Sequence, residues 1–183
     1  MDRTPPEILR QTLSYRSRKF DFEVNQLRLP NQVEGEWACI RHPGGALAVP
    51  VLPDGRLVLV RQYRFAAEGW LLEFPAGTVE DHEDPAATIA REIGEETGYR
   101  AGTWQHLGDF FLAPGYSDEV IYAYLATDLE KLEHPPAGDE DEDIEVLALT
   151  PEELTAAIRD GEPVDAKTVT AFWLYQQLNS AEL

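Results

Sequence analysis

Four acidic residues in one short stretch of the chain have a spacing that could support metal-dependent chemistry. Glu83 precedes a predicted helix, and the helix itself carries Glu92, Glu95 and Glu96. Residues three and four positions apart lie on one side of a helix, so the helical carboxylates should project together. Like charges this close repel unless cations neutralise them, and hard divalent ions take carboxylate and carbonyl oxygens as ligands. Such a cluster suits a hard divalent ion such as Mg²⁺, but a lone Glu-x-x-Glu-Glu favours a solvated acidic helix face, and the surrounding residues have to decide between the two.

An arginine on the same helix should hold one of these acids in place. Arg91 stands four residues before Glu95, a spacing that allows an ion pair on a helix surface. The remaining acids are then available to bind cations.

The helix that carries the acids is predicted to span residues 85–97. Asp84 is a good N-cap, Pro85 suits the first helical position, and Gly98 suits a left-handed C-terminal cap. An apolar face that should pack on a sheet comprises Ala86, Ile89, Ala90 and Ile93.

The strands that must support this helix are indicated by apolar runs and turn signals. Residues 46–52 and 56–63 are apolar runs separated by Pro-Asp-Gly at 53–55, which predicts a hairpin. Further strands are predicted at 70–75, 104–111, 120–126 and 144–149. Helices and strands are mixed without regular alternation. We therefore expect an α/β sandwich of the α+β class, a mixed β-sheet between helices, rather than a doubly wound sheet.

The two ends of the chain carry further predicted elements. A short helix is predicted at 6–13, and alternating apolar and polar residues predict two antiparallel strands within 19–41. Thr150 begins a predicted helix, and a closing helix is predicted at 166–178. The residues available for its buried stripe are Val169, Phe172, Trp173 and Leu178.

Composition argues against several classes of partner. The 183-residue chain has 34 acidic against 15 basic residues and a formal charge of -19, so its field repels nucleic acid and anionic membranes. Cys39 is the only cysteine, which excludes an intrachain disulfide and a multi-cysteine zinc site. The polar N-terminus lacks the apolar core of a signal peptide, so we expect a cytoplasmic protein.

The residues around the acids resemble a known family motif. Gly77, five residues, Glu83, seven residues and then Arg-Glu-Ile-Gly-Glu-Glu-Thr-Gly-Tyr at 91–99 resemble the Nudix box at its fixed charged and glycine positions. Tyr99 departs from the aliphatic residue usual there, although its ring is still largely apolar. The resemblance implies a Nudix fold and metal-assisted attack of water on a phosphoanhydride.

The resemblance also implies roles for individual residues, with Mg²⁺ as the cofactor and Mn²⁺ as an alternative. Metal binding would fall to the Ala76 carbonyl oxygen and to the carboxylates of Glu92 and Glu96, with Glu95 and Glu83 assisting. Arg91 and Glu95 would belong to the catalytic set.

Beyond the box, the chain is most similar to the ADP-ribose pyrophosphatase branch of the family. The similarity covers residues 60–64 and 72–77 and includes Pro114, which lies 15 residues after Tyr99 where this branch has a proline. The implied reaction is hydrolysis of ADP-ribose to AMP and ribose 5-phosphate.

An acidic run at 139–143 resembles the loop that supplies this branch with a catalytic glutamate and one more metal ligand. The resemblance implies Glu140 as the general base and Glu142 as the extra ligand, and the neighbouring acids leave other registers open. Without the family, such a run would be read as a mobile solvated loop.

Substrate contacts and assembly are the remaining implications. Arg41 and Arg64 are candidates to hold the diphosphate because guanidinium groups match phosphate oxygens, and surface salt bridges are the competing explanation. Trp37 could stack on adenine or pack in the core. Residues 1–43 would form an N-terminal strand extension that helps to build a homodimer, followed by the hydrolase domain at 44–183.

Two other kinds of function stay open at this point. The substrate could be another nucleotide sugar such as GDP-mannose, or NADH, or a dinucleoside polyphosphate. A sensor that binds ADP-ribose without cleaving it is the second kind, although such a sensor has no need of the full set Glu92, Glu95 and Glu96. An acidic interaction domain would leave the motif unexplained.

Overall fold

The computed structural model describes residues 4–80, 82–136 and 143–180. The chain divides into two units. The first unit takes the chain up to Gly44 together with Phe111–Val120, and the second takes Gly45–Phe110 and the chain from Ile121 onward. The domain boundary predicted between residues 43 and 44 stays a prediction.

The first unit contains an antiparallel sheet. Its strands, in sheet order, are β1 (Glu7–Arg16), β2 (Asp21–Arg28) and β3 (Glu34–Arg41). The two strands predicted within 19–41 are confirmed. The helix predicted at 6–13 is wrong, because this segment belongs to β1. Register shifts in the pairing with β2, such as the one between Ile8 and Arg10, break the regular alternation by which a strand is recognised.

The other strands form two sheets in the described residues. Their bounds are β4 (Gly45–Pro50), β5 (Leu57–Arg64), β6 (Gly69–Glu73), β7 (Ala76–Thr78), β8 (Tyr99–Phe111), β9 (Val120–Lys131) and β10 (Ile144–Leu149). One sheet has the order β10-β5-β6 and the other the order β7-β4-β9-β8. Every residue of β4 is buried, and β4 runs antiparallel to β7 and parallel to β9. The α+β class is confirmed.

The hairpin predicted across residues 53–55 is wrong in its pairing. Both strands exist, but β4 and β5 belong to different sheets. They meet at one isolated bridge between Val51 and Leu57, beside a hydrogen bond from the Leu52 N–H to the Arg56 carbonyl. The turn therefore connects two sheets instead of closing a hairpin. Each of the two buried apolar strands pairs with other strands of its own sheet.

Helix α1 (Pro85–Thr97) has the predicted bounds and caps. The Asp84 carboxylate accepts a hydrogen bond from the Ala86 N–H at 2.8 Å, and Gly98 adopts a left-handed conformation with φ of 71°. Ile89 and Ile93 are fully buried in a core cluster with β4 and β5 residues. Ala90 is exposed, contrary to its predicted place on the apolar face, so the buried face is narrower than predicted.

Helices α2 (Pro151–Asp160) and α3 (Ala166–Ser180) follow the last strand. A capping box between Thr150 and Glu153 starts α2, as predicted. The predicted apolar stripe of α3 is partly wrong: Phe172 is buried, but Val169 and Trp173 are exposed. The buried side of α3 also carries Thr168 and Ala171. None of the helices in the described residues is long and apolar enough to span a membrane.

Candidate active site

The backbone of Gly77 lies directly against the carboxylate of Glu92. A Cβ atom added at Gly77 would stand 2.1 Å from Glu92 Oε1, well inside contact distance. A side chain at position 77 would displace this carboxylate from β7. The glycine at the start of the motif is therefore required by the close approach of a strand and a helical side chain.

The neighbouring residue connects the same strand to the second helical acid. The Ala76 N–H donates a hydrogen bond of 3.1 Å to Oε2 of Glu96, which is 8% exposed. Glu92 and Glu96 stand four residues apart on α1, so successive turns of the helix present their carboxylates to successive residues of β7. The structure thus brings the predicted ligands Ala76, Glu92 and Glu96 together.

Arg91 is shared by three carboxylates. Its Nη1 atom lies 2.8 Å from Glu95 and 2.9 Å from Glu92, and its Nη2 atom lies 3.7 Å from Glu83. The predicted pair with Glu95 is confirmed. Burial lowers the pKa of Arg91, but the charges of Glu92, Glu95 and Glu83 outweigh it, and the net pKa is raised. Hydrogen bonding to Thr88 lowers the pKa of Glu83, and Arg91 lowers it further.

The donor chemistry of this site fits a hard divalent cation. Carboxylate and carbonyl oxygens are the ligands that Mg²⁺ prefers. Because Gly77 has no Cβ atom, the Glu92 carboxylate can lie directly beside the strand. Among the described residues no group of three acidic, histidine or cysteine side chains converges as a finished metal site. Arg91 contacts Glu92 and Glu95 in this arrangement, so a bound cation would compete with its guanidinium for Glu92.

A buried ion network adjoins the site, and of its residues only Arg64 was predicted from the sequence. Glu73 is 1% exposed, and both of its oxygens accept hydrogen bonds from Arg64 at 2.7 Å. Lys167 lies 2.5 Å from Glu73 and also contacts Asp165. Burial raises the pKa of Glu73, but the two cations outweigh it and hold the pKa at about 2. An acid at the end of an apolar strand was the available signal, because a buried carboxylate requires a cationic partner.

Arg64 was predicted to bind the diphosphate, and its position keeps that prediction open. The hydrogen bonds to Glu73 are the largest cause of its raised pKa, and the charge of Glu96 is a further cause. The guanidinium therefore lies within electrostatic range of a predicted metal ligand.

The other predicted substrate contacts lie in the first unit. Arg41 pairs with Glu23 at 3.1 Å and with Asp118 at 3.0 Å, and the hydrogen bonds that it donates to these acids raise its pKa, the one to Asp118 contributing most. Trp37 is 38% exposed, and its ring covers Gly35. Pro114 is exposed.

Two predicted residues cannot be placed. Glu140 and Glu142, the predicted general base and extra metal ligand, lie outside the described residues.

Comparisons with known proteins show which family this chain belongs to. The model of the Nudix domain family matches residues 41–172. The chain belongs to the Nudix family. A solved structure titled as an ADP compounds hydrolase superposes on this Nudix protein with a TM-score of 0.86 and 24% identity, covering 100% of this chain and 98% of the other.

Two relatives extend the similarity over most of the chain. An ADP-ribose pyrophosphatase of Bacillus subtilis is 36% identical over 161 residues, which are 88% of this chain and 86% of the relative. A protein of Bacillus methanolicus named methanol dehydrogenase activator is also 36% identical, over 91% of this chain and 90% of the relative. The chain is therefore a Nudix hydrolase similar to ADP-ribose pyrophosphatases.

Proposed function

We propose that this Nudix hydrolase cleaves the diphosphate bond of ADP-ribose, giving AMP and ribose 5-phosphate, with Mg²⁺ as its cofactor. The observation that carries the proposal is the contact between β7 and α1, where Gly77 and Ala76 hold the carboxylates of Glu92 and Glu96. The name and coverage of the Bacillus subtilis relative support the choice of substrate.

The residues that would hold the metal are those that the strand and the helix bring together. Glu92, Glu96 and the Ala76 carbonyl oxygen supply hard oxygen ligands, and Glu142 would add another. When bound, the cation would offset the charge of the diphosphate and lower the pKa of an attacking water.

The protein's own side chains would prepare the substrate for attack. Arg91 keeps Glu95 and Glu92 in a fixed arrangement, and Glu140 would accept a proton from the attacking water. Arg64, with Nε and Nη2 on Glu73, presents its Nη1 group on another edge and would donate from it to a phosphate oxygen.

Additional substrate contacts and a homodimer are also part of the proposal. Arg41 and Pro114 would contact the substrate, and Trp37 would stack on the adenine. Exposed apolar side chains on β1, among them Ile8 and Tyr15, support assembly through residues 1–43. Light scattering of the purified chain would measure the mass of the assembly, and a monomeric mass would contradict the dimer.

The test is hydrolysis of a substrate panel with Mg²⁺ and with excess chelator. The panel contains ADP-ribose, GDP-mannose, NADH and a diadenosine polyphosphate. We expect preferential release of AMP and ribose 5-phosphate from ADP-ribose, lost on chelation and restored by added Mg²⁺. Preference for another member would overturn the substrate, and turnover that survives chelation would overturn the metal.

A regulatory role is the second candidate function, because one relative carries the name of an activator. The two candidates differ in turnover. Tight binding of ADP-ribose without product release in the presence of Mg²⁺ would favour the regulator. Steady release of AMP would favour the hydrolase.

A further inference from the structure

The four consecutive residues 73–76, which lead into the proposed metal site, are bonded to three elements of the second unit: α3, β4 and α1. Lys167 of α3 contacts Glu73, and the buried Thr168 hydroxyl accepts a hydrogen bond from the Phe74 N–H at 2.8 Å. The Pro75 carbonyl oxygen then accepts a hydrogen bond from β4 at 3.0 Å, and the Ala76 N–H bonds Glu96 of α1. The start of α3 and the motif helix therefore hold the same short segment.

The start of α3 is itself well defined. The Asp165 carboxylate accepts a hydrogen bond from the Thr168 N–H at 2.9 Å and also contacts Lys167. Lys167 has a side-chain exposure of 12%, so the ammonium group is largely removed from water. Its place is fixed by the two carboxylates that neutralise it.

The same network fixes the direction of Arg64. Two parallel hydrogen bonds of 2.7 Å orient the plane of its guanidinium on Glu73, whereas one bond would leave it free to rotate. The side chain of Arg64 is 37% exposed, so part of it remains accessible to a ligand, and Nη1 is the guanidinium nitrogen that these two bonds to Glu73 do not use.

We infer that Glu73, held by Lys167 of α3, is a positioning residue that aims Arg64 at the anionic group of the substrate beside Glu96. This inference rests on the proposed function. Glu73 itself touches neither substrate nor metal, because both of its oxygens are occupied by Arg64 and one of them also by Lys167. It acts through the orientation of the arginine.

A purely structural role for the network makes a different prediction. If Glu73 only holds α3 to the sheet, its loss should affect binding whether or not an arginine is present at position 64. If it acts through Arg64, its loss should have no further effect once Arg64 has been removed. A double-mutant cycle separates the two cases.

The experiment measures the dissociation constant of a non-hydrolysable analogue of ADP-ribose, with a methylene group in place of the bridging oxygen, by calorimetry in Mg²⁺. The variants are Glu73→Gln, Arg64→Ala and the double variant. We expect Glu73→Gln to weaken binding about tenfold in the parent chain, and to weaken it less than about twofold in the Arg64→Ala background. Glu73→Asp, which keeps the charge with a shorter reach, should recover part of the loss.

Further variants serve as controls for the loss of an arginine and for misfolding. Arg61→Ala removes another arginine of β5 that is paired with two acids, Glu145 and Glu162, and it should leave analogue binding unchanged. If Glu73→Gln does not fold, Lys167→Met replaces it in the same cycle. We expect Lys167→Met to weaken analogue binding less than Glu73→Gln would, and only when Arg64 is present. Circular dichroism identifies the variants that are folded.

The outcomes distinguish this inference from the function on which it rests. Equal losses in both backgrounds, or no loss in either, would overturn the role of Glu73 while leaving the hydrolase intact. A parent chain that neither binds nor cleaves any nucleoside diphosphate derivative would overturn both.

Discussion

Two charged regions of the second unit differ in their balance of charge. At α1, Arg91 is shared by three carboxylates, those of Glu92 and Glu95 on the helix and that of Glu83 just before it. Between β6 and α3, two acids face two bases, namely Glu73 and Asp165 with Arg64 and Lys167. The first region carries excess negative charge in contact with a strand, and the second is neutral as a group.

The difference indicates which region is built for a cation. An acid excess on one helix face is destabilising until a cation joins it, so a bound cation should change the first region. A balanced and largely buried quartet satisfies its own charges, so its internal pairing should be the same with or without ligand, and Arg64 is its most exposed member. The two regions therefore differ in their main readout: loss of an acid should chiefly lower turnover in the first, and should lower stability as well as the Arg64-dependent binding in the second.

The largest expected effect is on turnover in the unbalanced region. Glu96→Gln should lower kcat on the order of a thousandfold, because a neutral amide is a poor ligand for a hard cation. The fold should persist, since the amide oxygen can still accept the Ala76 N–H and repulsion on the helix falls. Steady-state kinetics and thermal unfolding measure the two quantities. The matched control is Glu130→Gln, which removes a carboxylate paired with Arg100 at the surface; equal kinetic losses in both variants would contradict the assignment.

The second effect concerns the pH dependence of stability in the balanced region. The pKa of Glu73 is lowered from 4.5 to about 2, so its stabilising contribution is present above pH 4.5 and is lost as the pH falls toward 2. The free energy of unfolding of the parent chain should therefore exceed that of the Glu73→Gln variant by up to about 3 kcal/mol near neutral pH. This difference should disappear as the pH falls toward 2.

Chemical denaturation at a series of pH values measures this gap. Glu145→Gln removes a half-exposed acid paired with Arg61 at 3.0 Å and should cost less than about 1 kcal/mol at any pH. A gap for Glu73→Gln that is constant from neutral pH to pH 2 would show that the carboxylate charge is not what stabilises the network.

The smallest expected effect is a displacement within the unbalanced region. Gly77→Ala places a methyl group where Glu92 now lies, 2.1 Å from its Oε1 atom, and the carboxylate must move. Activity should fall roughly a hundredfold, as expected for a catalytic group displaced by about 1 Å. Gly69→Ala is the control, because its nearest neighbour is a backbone oxygen at an ordinary 3.6 Å. Full activity in Gly77→Ala would show that the contact has no part in catalysis.

Local patterns predicted the motif helix and its caps because their causes are local. Asp84, Pro85 and Gly98 act within one turn of the residues they cap, and the pairing of Arg91 with Glu95 follows from helical spacing. The same holds for the position of β10, a mostly apolar run in which Glu145 is the one charged residue.

Pairing across sheets could not be predicted in the same way. The Pro-Asp-Gly turn at 53–55 is the same signal whether its flanking strands pair with each other or with distant partners. β4 finds its partners at β7 and β9, which only the complete set of strands determines. The strand β1 was missed because its bulged register hides the alternation.

The part of the site that escaped prediction is the part contributed by distant residues. Lys167 and Asp165 lie about 90 positions after Glu73 in the chain, and no spacing rule connects them. The predicted base and extra ligand at Glu140 and Glu142 stay predictions, since they lie outside the described residues.

The parallel pairing of β4 with β9 also determines when this sheet can form. Gly45 lies opposite Ile121, so the buried strand at the start of the second unit has its neighbour on one side supplied by a segment far along the chain. Closing so long a loop is slow compared with forming the intervening helix, whose contacts are local. During synthesis the helix with the acidic motif therefore leaves the ribosome before the strand that completes its supporting sheet, and no chain that stops short of residue 121 can complete it.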